Sequence, residues 1–305
     1  MENAVEEKNR TRYVLVLIAA IMVVVLIAAL AAGFLLDTPK RAGRSEETIV
    51  HDTSSTEEIW QEEELEEEDT SPASVLHLLP ENPYGKFDFQ YDGWFLKSTV
   101  VDCLSGIDVS AYQGDIDWNQ VAESGVDFAI VRLGYRGYES GKLTEDKFAR
   151  MNLDGATAAG IKLGVYFFSQ ALNVEEAQEE ARFVLDMIQD YDITMPVVFD
   201  WEHVESAEAR TGGFTDRELL TVCARSFCDV VSAAGYEPMV YFNVYQARDL
   251  YDLTALRDCG FWLAQYVDGL DYPHAVDLWQ YTESGEVDGI RGRVDLDLWL
   301  PCVEK

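Results

Sequence analysis

From Leu104 onward, short apolar runs alternate with segments whose apolar positions recur every three to four residues. Short apolar runs predict buried strands, and the longer period predicts amphipathic helices. Gly106–Ser110, Phe128–Leu133, Leu163–Phe168 and Pro196–Glu202 read as strands. Between them, one helix runs through Trp118 to near Gly125, and a second spans about Thr144 to Gly160. A third is capped by Asn173 with Glu176 three residues on, and Val174, Ala177, Ala181, Val184, Leu185 and Ile188 keep helical spacing. Thr215 and Glu218 predict a capping box for a fourth helix, which stops at Gly235. Met239–Val244, Phe261–Tyr266, Asp277–Glu283 and Gly289–Leu300 supply further strands, joined by short connections with little helix. Strand–helix alternation implies a parallel sheet with right-handed crossovers. About eight strands predict an α/β fold, a TIM-like (β/α)8 barrel that is irregular and has fewer helices in its second half.

Upstream of the barrel the pattern changes. Tyr13 to Leu36 is a run of 24 residues without a charge, long enough to cross a hydrocarbon core of about 30 Å. It is too long for the apolar region of a cleaved signal peptide, so one uncleaved transmembrane signal anchor is expected at 13–36. Lys8, Arg10 and Arg12 precede it while Lys40, Arg41 and Arg44 follow, so flanking charge does not orient it. From Ser45 to Thr70 there are twelve Asp or Glu and no Lys or Arg, the composition of an extended, disordered spacer. Further on, Phe87–Tyr91 and Trp94–Leu96 flank Asp92-Gly93, a strong hairpin signal. The expected organisation is a tail at 1–12, the anchor at 13–36, the spacer at 37–75, a hairpin-like connector at 76–103 and the barrel at 104–305.

The stretch Val197-Val198-Phe199-Asp200-Trp201-Glu202 carries the clearest chemistry. In a strand, residues i and i+2 share a face, so Asp200 and Glu202 project together with Trp201 opposite. Their α-carbons lie roughly 6–7 Å apart, a separation suited to acid–base work on a glycosidic bond. Barrel chemistry sits at the C-terminal ends of strands. Asp108, Tyr166, Asp200, Glu202, Asn243, Gln265 or Tyr266, and Gln280 all fall there.

Composition narrows the partners. The chain has 305 residues, is 48% hydrophobic and carries a net charge of −33. Such a balance excludes nucleic acid as a partner, because phosphate binding needs Lys and Arg. His51, His77, His203 and His274 are scattered, and no Cys/His spacing resembles a metal site. No metal and no cofactor are therefore expected, and a metal-dependent deacetylase fits poorly. His203 beside the acidic pair reads as structural. Of the five cysteines, Cys223 and Cys228 read as core, and Cys103 and Cys302 flank the barrel where a disulfide between them is plausible.

Gly106-Ile107-Asp108-Val109-Ser110 with Tyr112-Gln113-Gly114 and Ile116-Asp117-Trp118 resembles the opening of glycoside hydrolase family 25, the lysozyme-like N-acetylmuramidases. Phe128–Arg132, Gly164–Phe168, Asp200-Trp201-Glu202, Trp279-Gln280-Tyr281 and Val294-Asp295-Leu296-Asp297 follow in that family's order. The resemblance covers about residues 104–300. It implies an acidic cluster at Asp108, Asp200, Glu202 and Asp295, with Glu202 as general acid. Asp200 is implied as the second carboxylate, either attacking the anomeric carbon or orienting the substrate's own N-acetyl group, and the spacing is compatible with both. Some members carry a His where this chain has Phe167 or Phe168, a departure that touches subsite contacts and leaves the carboxylates intact. Tyr112, Tyr166, Phe168, Tyr241, Tyr266, Trp279 and Gln280 are the expected substrate-binding residues, and Trp262 is a further aromatic candidate.

The expected function is hydrolysis of the β-1,4 bond between N-acetylmuramic acid and N-acetylglucosamine in peptidoglycan glycan strands. The alternative is a non-catalytic cell-wall glycan-binding module. Peptidoglycan lies outside the membrane, so the expectation is a single-pass membrane protein, attached through residues 13–36, with a cytoplasmic N-terminus and an extracellular monomeric barrel.

Overall fold

The computed structural model describes residues 79–300. Eight strands close into a barrel: β3 (Leu104–Val109), β4 (Phe128–Arg136), β6 (Lys162–Ser169), β7 (Ile193–Trp201), β8 (Pro238–Asn243), β9 (Gly260–Ala264), β10 (Leu278–Gly285) and β11 (Val294–Trp299). A short strand β5 (Leu143–Glu145) adds to the end of β4. β3, β4, β6, β7, β8, β9 and β10 pair in parallel around the ring. β11 closes it by pairing antiparallel with both β10 and β3.

This corrects the (β/α)8 TIM expectation. The barrel is mixed and poor in helix. The stretch Glu286–Arg293 joining β10 to β11 is shorter than the dozen or more residues a parallel crossover needs, so the chain turns back and β11 runs the other way. Helices accompany the early strands: α1 (Trp118–Glu123), α2 (Ala149–Ala159), α3 (Val174–Ile188) and α4 (Arg217–Ala233). After β8, among the described residues, only a one-and-a-half-turn helix α5 (Val244–Asp249) and a 3-10 turn (Leu253–Leu256) remain. Asn173 caps α3 as expected, accepting from the Glu176 amide at 2.9 Å. For α4 the cap is one residue later than predicted: Asp216, not Thr215, accepts from the Leu219 amide at 3.0 Å. The expected transmembrane helix at 13–36, its flanking tail and spacer, and Cys302 lie outside the described residues. Among the described residues no helix is long and apolar enough to cross a membrane.

Strand alternation divides the apolar side chains into two sets. Phe128, Ile130, Tyr166, Val198, Met239, Trp262 and Leu278 fill the barrel interior. Ala129, Val131, Phe167, Val197, Phe199 and Trp201 face outward against the helices. A hairpin of β1 (Phe89–Asp92) and β2 (Phe95–Ser98), turning at Gly93 with φ 62°, covers β10 where no helix does. Its Leu96 is fully buried, the Leu96 amide donates to the Tyr281 hydroxyl at 3.1 Å, and Phe89 meets Trp279 edge-on at 5.2 Å. The hairpin thus supplies the apolar cover that a crossover helix gives elsewhere.

Gly106 on β3 has a steric role. A Cβ there would lie 2.1 Å from Cζ of Phe128, whose ring fills the barrel interior. Gly106→Ala is expected to destabilise the barrel by about 1–3 kcal/mol through overpacking. Urea unfolding checks this, and an unchanged midpoint would refute it.

Candidate active site

The C-terminal ends of the parallel strands open into a cleft of about 850 Å³. Asp108, at the end of β3, lies directly across from Asp295 on β11. Asp200, near the end of β7, and Glu202, just past it, line the same cleft. Asp108 and Asp200 are buried, and Glu202 and Asp295 are partly exposed to the cleft. Like charges directly opposed on adjacent strands repel, so strand pairing itself concentrates negative charge here.

The carboxyls respond as physics requires. Burial, then repulsion from Asp295 and Asp297, raises Asp108 well above the usual carboxylate range against the pull of Gln280. Burial, then Glu202, raises Asp200 well above its ordinary value, and Arg132 opposes the shift. Burial, then Asp295, raises Glu202. Asp295 rises to about 6, chiefly by burial.

Neutral groups hold this cluster in place. The Gln280 side-chain nitrogen donates to Asp108 Oδ2 at 2.6 Å. Gln280 Oε1 accepts the Tyr241 hydroxyl at 3.0 Å and the Tyr266 hydroxyl at 2.9 Å. The backbone that carries Asp200 and Glu202 leaves its strand at Trp201, so side chains satisfy its carbonyls. Gln246 Nε2 donates to the Trp201 carbonyl, and Gln170 Nε2 donates to the Glu202 carbonyl at 2.7 Å. Trp201 points away from the cleft, with its indole N–H on the Ala171 carbonyl at 3.3 Å.

One wall is cationic and aromatic. Arg132 pairs with buried Asp146 at 2.7 Å and lies 5.3 Å from the centre of the Tyr112 ring and 5.8 Å from that of Tyr135. The floor is Trp262, met edge-on by Tyr241 at 4.9 Å and by Tyr166 at 6.1 Å.

A paired carboxylate motif at the mouth of a barrel is shared by many folds, so sequence similarity decides the family. Residues 107–290 match Glycosyl hydrolases family 25. The chain belongs to this family. Over 198 residues it is 29% identical to the autolytic lysozyme of Clostridium acetobutylicum, covering 64% of this chain and 55% of that protein. Over 209 residues it is 28% identical to lysozyme M1 of Streptomyces globisporus, covering 63% of this chain and 66% of that protein. The modular autolysin LytC from Streptococcus pneumoniae, solved with a synthetic peptidoglycan ligand, superposes with a TM-score of 0.57 at 29% identity, over 65% of this chain and 47% of that one. The chain spans about half the length of the Clostridium relative and of LytC.

Within the family 25 barrel, the cleft gathers Asp108, Asp200, Glu202, Asp295, Tyr112, Tyr166, Phe168, Tyr241, Tyr266 and Gln280, together with Trp262. Tyr112 stands at the lip, 87% exposed. Trp279 is not in the cleft. It is fully buried on the outer face of β10, between Phe89 and Tyr281, with its indole N–H on the Gln265 carbonyl at 2.8 Å. Residue parity explains this: Gln280 faces inward, so its neighbour Trp279 faces out. His203 donates through Nε2 to the Phe214 carbonyl at 2.9 Å and packs on Trp201.

Arg132, Asp146 and Asp297 join the site without having been expected from the sequence. Arg132 had a signal, as a charge inside the apolar run Phe128–Leu133. Asp297 had one too, because Asp295 and Asp297 repeat the i, i+2 spacing of Asp200 and Glu202. Among the described residues no cluster of His, Cys, Asp or Glu could hold a metal ion.

Proposed function

We propose that this chain is a peptidoglycan hydrolase that cleaves the β-1,4 bond between N-acetylmuramic acid and N-acetylglucosamine. The observation that carries this reading is the Asp200–Glu202 pair, with raised carboxyls, in the acidic cleft of a family 25 barrel. The lysozyme names of the relatives and the peptidoglycan ligand of LytC support the substrate class.

In the proposed mechanism Glu202 is the general acid and Asp200 the second carboxylate. Asp200 is the deeper of the two, so in the free protein burial favours the protonated form more strongly at Asp200 than at Glu202. Asp200 Oδ1 is a buried acceptor without a donor partner among the described side chains. An acetamido N–H of the substrate would satisfy it. A hydrogen bond to a carboxylate stabilises its charged form, so substrate binding moves negative charge onto Asp200 and leaves the proton on Glu202, beside the leaving oxygen. Arg132 favours the same assignment by opposing the rise at Asp200. The exposed ring of Tyr112 suits the apolar face of a sugar ring.

Mass spectrometry of digested peptidoglycan tests this reading. New reducing ends on muramic acid are expected, and reducing N-acetylglucosamine ends or no cleavage would refute it.

We also propose that the barrel works on the outer side of the cell membrane, attached through residues 13–36 and held off by the acidic stretch. The location of the substrate and the charge-free run from Tyr13 to Leu36 support this. Protease added to intact, wall-stripped cells is expected to digest the barrel, and a protected barrel would overturn the orientation.

A further inference from the structure

Beneath the cleft lies a carboxyl that the mechanism above does not use. Asp297 is fully buried, two residues along β11 from Asp295 and on the same inward face. Strand register sets it opposite Gly106 on β3 and Gln280 on β10. Its Oδ1 accepts the indole N–H of Trp262 at 2.9 Å. Its Oδ2 is buried and meets no N–H or hydroxyl donor among the described residues. The Asp297 carboxyl also hydrogen-bonds with the carboxyl of Asp108.

Asp108 is already used as an acceptor. Its Oδ2 takes the Gln280 amide at 2.6 Å. The oxygen of that amide accepts the two tyrosine hydroxyls. An ionised carboxylate has lone pairs and no donor. Two ionised carboxylates in contact, buried, would be both unsatisfied and mutually repelling. A single proton between them removes both costs.

We propose that Asp108 and Asp297 share one proton across the β3–β11 seam, so that Asp297 is a positioning residue holding Asp108 at the cleft floor in a singly charged pair. Its effect on turnover rests on the muramidase reading, and its existence does not. Two carboxyls in contact titrate as a unit, and the second proton leaves only at elevated pH. The groups that face Asp297 are Asp108 from β3, Asp295 from its own strand, the uncharged Trp262 from β9, and Gln280 and, across the sheet, the Tyr281 phenol from β10. None of these is a cation, so nothing in this set favours the doubly ionised form.

Asp297→Asn tests the pair, because the amide keeps a donor toward Asp108 and can no longer ionise. Asp297→Leu removes donor and acceptor together and is expected to lower the rate of lysis, and Asp297→Asn, which keeps the donor, is expected to recover most of that loss.

Urea unfolding across pH gives a readout independent of activity. The fold favours the protonated pair, whereas an unfolded Asp titrates near 3.9. Wild-type stability relative to Asp297→Asn is therefore greatest at acid pH and falls as pH rises. A protonated carboxyl band in the infrared spectrum at neutral pH, lost in Asp297→Asn, is the direct signature. A stability difference that stays flat between acid and alkaline pH, with no such band lost, would overturn the pair. If wild type cleaves no peptidoglycan while both readouts behave as stated, the muramidase reading fails and the pair stands.

Discussion

Glu202→Gln is expected to lower wall lysis by about 10²–10⁴-fold, the usual worth of a positioned general acid. Glutamine matches the shape of the acid and cannot give up a proton. The side chain is partly exposed to the cleft, and its backbone carbonyl is held by Gln170. Thermal unfolding should therefore be unchanged, which separates lost chemistry from lost structure. The sign of the pH effect follows from the raised carboxyl. Activity needs the acid form, so wild-type lysis falls as pH rises through the elevated Glu202 value. Turbidity of a wall suspension measures both. Clearing by Glu202→Gln at the wild-type rate would remove Glu202 from the mechanism.

The largest expected loss of stability lies behind the cleft. Arg136, 3% exposed at the end of β4, pairs with the fully buried Glu180 of α3 at 2.6 Å. The same guanidinium reaches the Gly141 carbonyl at 2.7 Å and the Glu176 carbonyl at 3.0 Å. Ser169 at the end of β6 donates to the other Glu180 oxygen at 2.6 Å. Glu180 thus ties the ends of β4 and β6 to α3.

Arg136→Met leaves Glu180 buried without its cation, and removing one partner of such a pair costs about 3–5 kcal/mol. Burial already lifts Glu180 to about 7 against the pull of Ser169 and Arg136. Below that pH the carboxyl is largely neutral and needs the cation less. The destabilisation should therefore grow as pH rises through about 7. Denaturant midpoints at acid and alkaline pH check the trend. A loss below about 1 kcal/mol at both would contradict the buried-pair account.

The acidic pair and the buried ion pair were disclosed unequally by the sequence. The pair at Asp200 and Glu202 was legible because strand parity is local: three apolar residues, then carboxylates two apart. The Asn173 cap was legible for the same reason. The direction of β11 was misread, because its apolar run is the same in either orientation and only the length of the preceding turn distinguishes them. Trp279 was misassigned for want of parity, since the inward-facing Gln280 beside it already fixed its face. The Arg136–Glu180 pair was invisible, because nothing local links residues on β4 and α3. Arg132 and Asp297 lay between these cases, each marked by a charge in an apolar run but without a partner that the sequence could name.

The reversed strand has a consequence for assembly. β11 sets Asp295 against Asp108, joining the last strand of the barrel to the first. Pairings between such distant parts of a chain form late, because loop closure must be met before contacts reward it. Strands β3 to β10 can pair in order as the polypeptide emerges, yet the acidic cluster lacks Asp295 until β11 arrives. Hydrolytic competence should thus appear as the final event of folding, after most of the barrel's secondary structure has formed. A nascent or truncated chain ending before Val294 would hold Asp200 and Glu202 in an open sheet, unable to digest the wall.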